Sequence, residues 1–445
     1  MADRLVVIGG DAAGMTAATN ARRGRSDLEI VALEKGHHVS YSPCGIPYLV
    51  GGAVEQLDDL VVRTPKEFRD RHRIDVRTRH EVTGIDLDRR RVQVRAIDQH
   101  RTFDLDFDLL QVATGAAPLR PDLPGIDGDG IFGVQTLDDA SDLLGAVDAG
   151  RCRRVVVVGG GYIGLEMAEA FIDRGAQVTL VDGADQPLRT VDADVGAMVA
   201  QTLERYGVDV RCGTAVEGFG DGVVHTEAGD LPADLVVLGI GVAPRSALGL
   251  DAGLDAGAEG AIAVDHRQRT NVEGVYSAGD CADTFHMVHR QQVHIALGTV
   301  ANKTGRVAGV NLGGGYASFA GVLGTAVTRI CEIEIARTGL SQAEARSAGI
   351  EFSIGTVEAT SRAGYFPGAA DVTARILAER GTGRIIGGQI IGGDRVGKRI
   401  DTVAAAITGG LTADQFVELD LAYAPPVSPL WDPFQVAARE AASGV

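Results

Sequence analysis

The 445-residue chain has little positive charge, few aromatic side chains and no long apolar run. Its 42 lysines and arginines are outnumbered by 60 aspartates and glutamates, which gives a net charge of −18. A strongly acidic chain does not attract nucleic acid or an anionic membrane surface as a general partner. No apolar segment approaches the roughly 20 residues that a membrane-spanning helix needs. The sequence therefore predicts no nucleic-acid partner and no membrane partner, while a local pocket can still accept an anionic small molecule.

Cysteine is also scarce. Cys44, Cys152, Cys212, Cys281 and Cys331 are widely spaced and form neither a CxxC pair nor a disulfide ladder. No secretory signal precedes the first apolar segment, so a reducing, cytoplasmic location is expected. The three histidines that follow Cys281 do not complete a compact zinc pattern, and no metal site is predicted.

Glycine, by contrast, is abundant, and two glycine-rich turns each lie between an apolar strand and a helical segment. They are residues 9–14 (GGDAAG) and residues 159–164 (GGGYIG). Glu34 follows the first turn by 20 residues and Asp182 follows the second by 18, each at the end of a predicted strand. Such a turn lets backbone N–H groups and a helix N-terminus approach a pyrophosphate, while the acid holds a ribose hydroxyl. Two such units predict two dinucleotide-binding domains.

Three further segments are typical of a known family: residues 113–115 (ATG), residues 239–241 (GIG), and residues 270–280, which end in Ala-Gly-Asp. Together with the two turns, they make the chain resemble the pyridine nucleotide-disulfide oxidoreductase family over nearly its whole length. The resemblance implies that the first unit binds FAD, with Glu34 at the FAD ribose and Asp280 at the ribityl chain. It also implies that the second unit binds a nicotinamide dinucleotide.

From about residue 327 the pattern changes to antiparallel strands such as residues 385–391. Between the two glycine units, residues 89–94 and 107–112 are predicted as strands. The predicted fold class is α/β, with two doubly wound Rossmann-like nucleotide-binding domains and an α+β C-terminal domain, which the resemblance makes a dimerisation domain. The predicted boundaries are 1–115 and 246–325 for the FAD-binding domain, 116–245 for the NAD(H)-binding domain and 326–445 for the C-terminal domain.

The residues assigned to the cofactors lie in the two turns, at the acids, in the family segments and beside Cys44. They are Gly9, Gly10, Ala13, Gly14, Glu34, Ser42, Ala113, Thr114, Gly115, Gly159, Gly161, Tyr162, Ile163, Gly164, Asp182, Gly241, Gly279 and Asp280.

The residues around the second turn indicate which coenzyme is preferred and where its nicotinamide binds. The three residues after Asp182 (GAD) include no arginine or lysine to pair with a 2′-phosphate, so NADH is favoured over NADPH. Tyr162 resembles a family tyrosine that covers the flavin and is displaced by the nicotinamide. Glu166 resembles a family glutamate near the same pocket.

The segment of residues 40–48 (SYSPCGIPY) contains one cysteine, Cys44. Dithiol members of the family carry CxxxxC at this place, whereas the next cysteine here is Cys152. Two-cysteine chemistry is therefore excluded at this site. A single cysteine can cycle through a mixed disulfide or through a sulfenic acid. Its position ahead of an apolar stretch predicts a helix start, where the thiolate is favoured.

The single-cysteine branch includes coenzyme A-disulfide reductases, persulfide or polysulfide reductases, and NADH oxidases and peroxidases. Oxidase and peroxidase members carry a histidine in the first turn, which reads Asp11-Ala12-Ala13 here. Tyr365 and Tyr423 match two tyrosines that coenzyme A-linked members present from the partner subunit. Arg22 and Arg23, at the end of the first helix, are candidates for the coenzyme A phosphates.

The resulting prediction is a homodimeric, FAD-dependent NAD(P)H oxidoreductase that reduces a disulfide or persulfide, with coenzyme A disulfide favoured, through Cys44, Tyr365 and Tyr423. Several alternatives stay open. One is an NADH oxidase or NADH:quinone reductase in which Cys44 is dispensable, and another is a reductase of a protein electron carrier. A third is a non-enzymatic flavin-bound redox sensor or interaction protein. The two tyrosines also suit simple packing at a dimer interface.

Overall fold

The fold is described by a computed structural model that covers residues 3–393 and 395–445. The helices and strands of the N-terminal segment follow one another in this order: β1 (Arg4–Ile8), α1 (Ala12–Gly24), β2 (Glu29–Leu33), α2 (Ile46–Gly51), α3 (Pro65–His72), β3 (Ile74–Arg77), β4 (His80–Asp86), β5 (Arg91–Ala96), β6 (Arg101–Asp106) and β7 (Leu109–Val112).

The central segment contains β8 (Ala116–Pro118), β9 (Ile131–Gly133), α4 (Leu137–Asp148), β10 (Arg154–Val158), α5 (Tyr162–Asp173), β11 (Gln177–Asp182), α6 (Ala193–Arg205), β12 (Asp209–Cys212), β13 (Val216–Gly220), β14 (Val223–Thr226), β15 (Gly229–Pro232), β16 (Leu235–Leu238) and β17 (Val242–Pro244). It is followed by α7 (Ala247–Leu250), β18 (Val275–Ser277), β19 (Thr284–Phe285), β20 (Gln292–Val293) and α8 (Gly298–Leu312).

The C-terminal segment contains β21 (Ala326–Ile330), β22 (Ile333–Gly339), α9 (Gln342–Ser347), β23 (Phe352–Thr360), β24 (Asp371–Glu379), β25 (Ile385–Gly392), α10 (Ile400–Gly409), α11 (Ala413–Val417) and α12 (Pro433–Ala442). Short 3-10 helices lie at Pro43–Gly45, Leu57–Leu60, Ala258–Gly260 and Gly397–Arg399. In the part of the chain that is described, no helix is long and apolar enough to cross a membrane.

Each nucleotide unit is built on a five-stranded parallel sheet. The first has the order β18-β7-β1-β2-β3 and the second the order β12-β11-β10-β16-β9. The apolar strands β1 and β10 are central because a parallel strand is covered by helices on both faces and buries nearly every side chain. Strand β18 returns to the first sheet after the second sheet is complete, so the first domain is discontinuous in sequence. Both doubly wound units are confirmed.

Two antiparallel sheets were not predicted in full. Strands β4, β5 and β6 form one three-stranded sheet, and β13, β14 and β15 form another. In the first of these, the sequence pattern predicts a single strand at residues 89–94, where the structure has β5 at Arg91–Ala96. The neighbouring strand β6 has exposed or half-buried side chains throughout, so it lacks the apolar run by which a buried strand is recognised.

The C-terminal domain is an antiparallel sheet with the order β21-β22-β25-β24-β23, as the change of pattern near residue 327 predicts. Helix α12 packs on β23 and β24, and α10 packs on β25. Phe416 and Phe434 are buried between these layers. Trp431, which precedes α12, stays about half exposed on the outer surface.

The two parts of the first domain are joined by close packing of α1 against α8. A Cβ atom at Gly305 would lie 2.4 Å from the carbonyl oxygen of Ala13, and one at Gly309 would lie 2.4 Å from the carbonyl oxygen of Ala17. These distances leave no room for a side chain, so the two helices are in backbone contact beside the first glycine turn.

Gly305→Ala is therefore expected to destabilise the protein by about 1–3 kcal/mol, the usual cost of overpacking, because the obstacle is backbone. Gly145→Ala is the matched control, since Gly145 also lies within a helix but has open space at its Cβ position. The control is expected to be neutral or stabilising by up to about 1 kcal/mol. Thermal unfolding measures both, and equal midpoints for the two variants would contradict the packing argument.

Candidate active site

The first glycine turn admits no side chain at two of its positions. Gly9 has a φ of +102°, and a Cβ atom there would lie 2.0 Å from the carbonyl oxygen of Ala113. A Cβ atom at Gly14 would lie 2.0 Å from the carbonyl oxygen of Gly9. Glu34, which follows strand β2, accepts a hydrogen bond from the Gly10 amide at 2.7 Å. This bond connects the turn to the end of the neighbouring strand. The N-terminus of α1 is thereby presented to a ligand.

The second turn repeats this geometry. Gly159 has a φ of +100° and lies against the backbone of Gly239, while a Cβ atom at Gly164 would lie 1.9 Å from the carbonyl oxygen of Gly159. Asp182 accepts a hydrogen bond from the Gly160 amide at 2.7 Å and a second from the Ala184 amide at 2.8 Å. The structure thus brings together the turn residues and the acid that the sequence assigned to the nicotinamide dinucleotide.

Asp11 occupies the place of the middle glycine in the first turn, and its carboxylate has a structural partner. It accepts a hydrogen bond from the Tyr41 amide at 3.1 Å, which ties the turn to the segment leading to Cys44. Burial, with a smaller effect from the charges of Glu34 and Asp280, raises the pKa of Asp11 to about 6. Three carboxylates therefore converge at this site.

Asp280 is suited to accept a hydrogen bond from a ligand that carries hydroxyl groups. Its Oδ1 atom is buried with no hydrogen-bond partner, and burial raises the pKa of its carboxyl group. The preceding residue, Gly279, has a φ of +79°, and a Cβ atom there would lie 2.7 Å from the Cβ of Ala13. The backbone oxygen of Asp280 is 2.8 Å from Nε2 of His294. A buried acceptor beside the first turn is what the FAD ribityl chain requires, so the residues fit FAD.

Cys44 lies in the 3-10 turn Pro43–Gly45, directly before helix α2, as predicted. Its thiol is exposed, and Ser42 is anchored beside it by a hydrogen bond from its amide to the Leu60 carbonyl at 2.9 Å. The expectation of a favoured thiolate is wrong, however. Loss of hydration, followed by the negative charges of Glu166 and Asp280, raises the pKa of Cys44 above its ordinary value. The N-terminus of α2, which begins two residues later, does not lower the pKa enough to offset these effects.

Helix α5 links the second turn to the cysteine segment. Tyr162 begins this helix, and its hydroxyl accepts a long hydrogen bond of 3.4 Å from Thr190. Glu166, one turn further on, accepts a hydrogen bond of 2.7 Å from Thr328 of the C-terminal domain. Burial raises the pKa of both the Tyr162 hydroxyl and the Glu166 carboxyl group. Ile46 and Val50 of α2, the helix after Cys44, pack in the same buried cluster as Leu165 of α5, so α5 connects Tyr162 and Glu166 to the cysteine segment.

Tyr365 and Tyr423 meet on the surface of the C-terminal domain. Their exposed fractions are 78% and 46%. Partial loss of hydration and the neighbouring Tyr365 phenol raise the pKa of Tyr423. The two segments are joined by a backbone hydrogen bond of 3.2 Å from Ala363 to Pro425. The structure thus pairs the two predicted tyrosines, and their catalytic role stays a prediction.

Several residues around the second turn were not predicted from the sequence. The predicted coenzyme site ends at Asp185, whereas the loop of residues 183–192 continues over the turn and carries the exposed Arg189. Thr190 and Arg337 were not predicted either, because their contacts join segments far apart in the sequence. The available signal for Arg189 was the length of the segment after Asp182, since the five residues between Asp182 and Leu188 are enough for the chain to return to the turn.

Models of known families match nearly the whole chain. The model described as pyridine nucleotide-disulphide oxidoreductase matches residues 3–305, and the model of that family's dimerisation domain matches residues 325–433. The chain belongs to the pyridine nucleotide-disulphide oxidoreductase family. It is an NAD(P)H-dependent flavoprotein oxidoreductase, and membership implies FAD and NAD(P)H as its cofactors.

Several curated members of this family are similar over their full length. A Methanocaldococcus jannaschii protein named NADH oxidase is 35% identical, with 98% of each chain covered. A Pyrococcus horikoshii protein named NAD(P)H coenzyme A polysulfide/persulfide reductase is 36% identical, with 99% of this chain and 98% of the relative covered. A coenzyme A disulfide reductase of Staphylococcus aureus is 27% identical, with 96% of each covered.

Solved structures of family members have the same fold. Reduced CoADR-RHD of Bacillus anthracis matches with a TM-score of 0.97 and 31% identity, covering all of this chain and 80% of that one. The water-forming NADH oxidase of Lactobacillus brevis, bound to NADH, matches with a TM-score of 0.95 and 27% identity, covering 100% of this chain and 99% of that one. Both reductases and oxidases therefore share this architecture, and the acceptor has to be argued from the site.

The role proposed for Asp280 gives a direct expectation. Asp280→Asn is expected to weaken FAD binding by roughly 10- to 100-fold, because a hydrogen bond to a charged group contributes about 1.5–3 kcal/mol. Fluorescence titration of the apoprotein with FAD measures the change. Asp283→Asn is the matched control, because the Asp283 carboxylate already accepts hydrogen bonds from the amides of Ala258 and Val264. An unchanged FAD affinity in the Asp280 variant would contradict the assignment.

Proposed function

We propose that this flavoprotein uses Cys44 to reduce a disulfide or persulfide, with coenzyme A disulfide as the favoured substrate and NADH as the favoured coenzyme. The observation that carries the proposal is the position of a single exposed thiol directly before α2, in a segment that is bonded to the first turn through Tyr41 and Asp11 and packed on α5, the helix of the second turn, through α2. The relatives named coenzyme A disulfide reductase and polysulfide/persulfide reductase support it.

The chemistry at Cys44 requires two electrons for each substrate. The Cys44 thiolate attacks one sulfur of the disulfide RSSR, forms the mixed disulfide Cys44–S–S–R and expels RS⁻, which takes a proton. FAD, when bound, relays two electrons from the reduced nicotinamide to the cysteine sulfur. The mixed disulfide then breaks to restore the Cys44 thiolate and to release a second RS⁻, which is also protonated. The sum is RSSR + NADH + H⁺ giving 2 RSH + NAD⁺.

Tyr365 and Tyr423 are proposed as the proton donors to the departing thiolate, supplied by a second copy of the chain in a homodimer. Their exposure on the C-terminal domain, together with the exposed Leu430 and Trp431, suits a surface that a second copy covers. The match to the family's dimerisation domain supports the same arrangement.

A local cluster of cations supports an anionic substrate in this acidic chain. Loss of hydration, followed by the charges of Arg63, Arg23 and Arg71, lowers the pKa of His72, so positive charge accumulates around this end of α3. The Arg63 amide donates a hydrogen bond to the carbonyl oxygen of Ser40, four residues before Cys44. This bond connects the cluster to the active-site segment. The phosphates of coenzyme A suit such a cluster.

Arg22 is less suited to this role than its neighbour. Its guanidinium donates to the backbone carbonyls of His72, Arg73 and Ser26, at distances of 2.9 to 3.0 Å. These bonds fasten the end of α1 to the chain around α3. Arg23 is exposed, so the proposal assigns the phosphate contact to Arg23.

The second candidate is an NADH oxidase, which the similarity to the Methanocaldococcus protein favours. The first turn, with Asp11, Ala12 and Ala13, offers no histidine beside Cys44 for oxygen chemistry. In the oxidase alternative Cys44 is dispensable, and in the redox-sensor alternative steady-state consumption of NADH is negligible with every acceptor.

Cys44→Ser is expected to abolish NADH-dependent reduction of coenzyme A disulfide, because the serine hydroxyl cannot form the mixed disulfide, while reduction of an artificial quinone continues. Cys331→Ser is the control, since Cys331 is a second partly exposed cysteine, in the β21–β22 turn, and burial raises the pKa of its thiol to about 12. Mass spectrometry of the unreduced protein is expected to show coenzyme A on Cys44. Full reductase activity in the Cys44 variant would refute the thiol mechanism.

The coenzyme preference is tested with Arg189. The Asp182 carboxylate repels a 2′-phosphate, which favours NADH, and Arg189 is the exposed cation on the loop that follows it. Arg189→Ala is expected to lower kcat/KM for NADPH by roughly fivefold, as the loss of an exposed ion pair would, and to leave that for NADH within about twofold. Arg151→Ala, an exposed arginine before β10, is the control. A fall for NADH equal to that for NADPH would refute the role of Arg189.

A further inference from the structure

We propose that the C-terminal domain holds the NAD(H) site in its binding shape through Asp192, which is a positioning residue for the coenzyme. The inference rests on the proposed assignment of the second turn to NAD(H). It concerns the loop of residues 183–192, which joins β11 to α6.

This loop lies directly on the second glycine turn. The Leu188 amide donates to the carbonyl oxygen of Gly160 at 2.7 Å, and Leu188 itself has a φ of +54°. A Cβ atom at Gly160 would lie 2.9 Å from the Cβ of Pro187. Two residues further on, the Thr190 hydroxyl donates to the Tyr162 hydroxyl at 3.4 Å. A shift of the loop therefore moves the residues that contact Gly160 and Tyr162 of the second turn.

The end of the loop is fastened to the C-terminal domain by Asp192. Its Oδ1 accepts from the Gln342 amide at 2.9 Å, and its Oδ2 accepts from Arg375 at 2.6 Å and from the Gln342 side chain at 3.1 Å. Its own amide donates to Gln389 at 2.9 Å. The side chain is 4% exposed. Asp192 is also the N-cap residue of α6, yet its carboxylate does not cap that helix, because it is committed to the other domain.

The two arginines complete the attachment. Arg337 is buried, donates to the carbonyl oxygen of Thr190 and is held in place by Glu344 at 2.7 Å. Arg375 is buried as well and donates to both Asp192 and Asp194. Asp194 lies on α6, outside the loop, and its side chain is half exposed. Apart from the bond of Thr190 to Tyr162, the long-range polar contacts of residues 190 and 192 thus come from strands β22, β24 and β25 and from helix α9.

The geometry separates a positioning role from a merely structural one. Asp192 and Asp194 share the same arginine, so the loss of either charge disturbs Arg375. Only Asp192 belongs to the loop that contacts Gly160 and Tyr162. A positioning role predicts that coenzyme binding responds to Asp192 alone, whereas a structural role predicts that stability responds to both and coenzyme binding to neither.

The test is the affinity of the FAD-loaded protein for ADP-ribose, measured by calorimetry, because this ligand occupies the turn without transferring electrons. Asp192→Asn is expected to weaken binding by roughly tenfold, within the usual 5- to 150-fold range of coupling between sites. Hydrogen exchange of the loop amides is expected to accelerate. Asp194→Asn, the matched control, is expected to keep wild-type affinity within about twofold.

Gln389→Met provides a milder variant that keeps every ion pair and removes only the acceptor for the Asp192 amide. It is expected to weaken ADP-ribose binding in the same direction and by less than Asp192→Asn. Equal effects of Asp192→Asn and Asp194→Asn, or a lowered unfolding temperature with unchanged ADP-ribose affinity, would overturn the proposal. Failure of the wild-type protein to bind ADP-ribose would instead overturn the assignment of the second turn, and the inference with it.

Discussion

In both nucleotide domains, a carboxylate from the end of the second strand accepts a hydrogen bond from the amide of the turn's second glycine. The distance is 2.7 Å from Gly10 to Glu34 and 2.7 Å from Gly160 to Asp182. This contact requires the preceding glycine to adopt a positive φ against a neighbouring carbonyl, where no side chain fits. The turn then keeps the helix N-terminus open for a diphosphate. Both the cysteine segment and the loop of residues 183–192 are positioned relative to these two turns.

Helix α5 connects the second glycine turn to the segment that contains Cys44. It begins at the second turn, and the Arg174 side chain at its end donates to the carbonyl oxygen of Val50 in α2 at 2.6 Å. Ile46 and Val50 of α2 belong to the same buried cluster as Leu165 of α5. Helix α2, which follows Cys44, therefore lies within the sequence of the first domain but packs into the core of the second domain. A displacement of α2 would therefore disturb the core of the second nucleotide domain.

The sequence was sufficient for the parts of the site that depend on local geometry. Glycine turns, the acids that follow them and a lone cysteine before a helix can be recognised because strand, turn and helix are contiguous. The contacts of Asp192 could not be predicted, since its partners lie 150 or more residues away and join it only after two domains have folded. The pKa of Cys44 was mispredicted for the same reason, because the loss of hydration and the charges of Glu166 and Asp280 that raise it come from segments distant in the sequence.

The acidic surroundings of Cys44 also discriminate between kinds of thiol chemistry. Cysteines that sense oxidants have a lowered pKa and a large thiolate fraction at rest, whereas partial loss of hydration and the charges of Glu166 and Asp280 raise the pKa of Cys44. A higher pKa reduces the fraction of thiolate but makes each thiolate more nucleophilic, because nucleophilicity rises with basicity. In the proposed function, such a sulfur suits reaction with a disulfide that is bound next to it better than sensing of dissolved oxidants. The same proposal assigns the attraction of an anionic substrate to the cations Arg23, Arg63 and Arg71, so that selectivity comes from binding rather than from a permanently activated thiol.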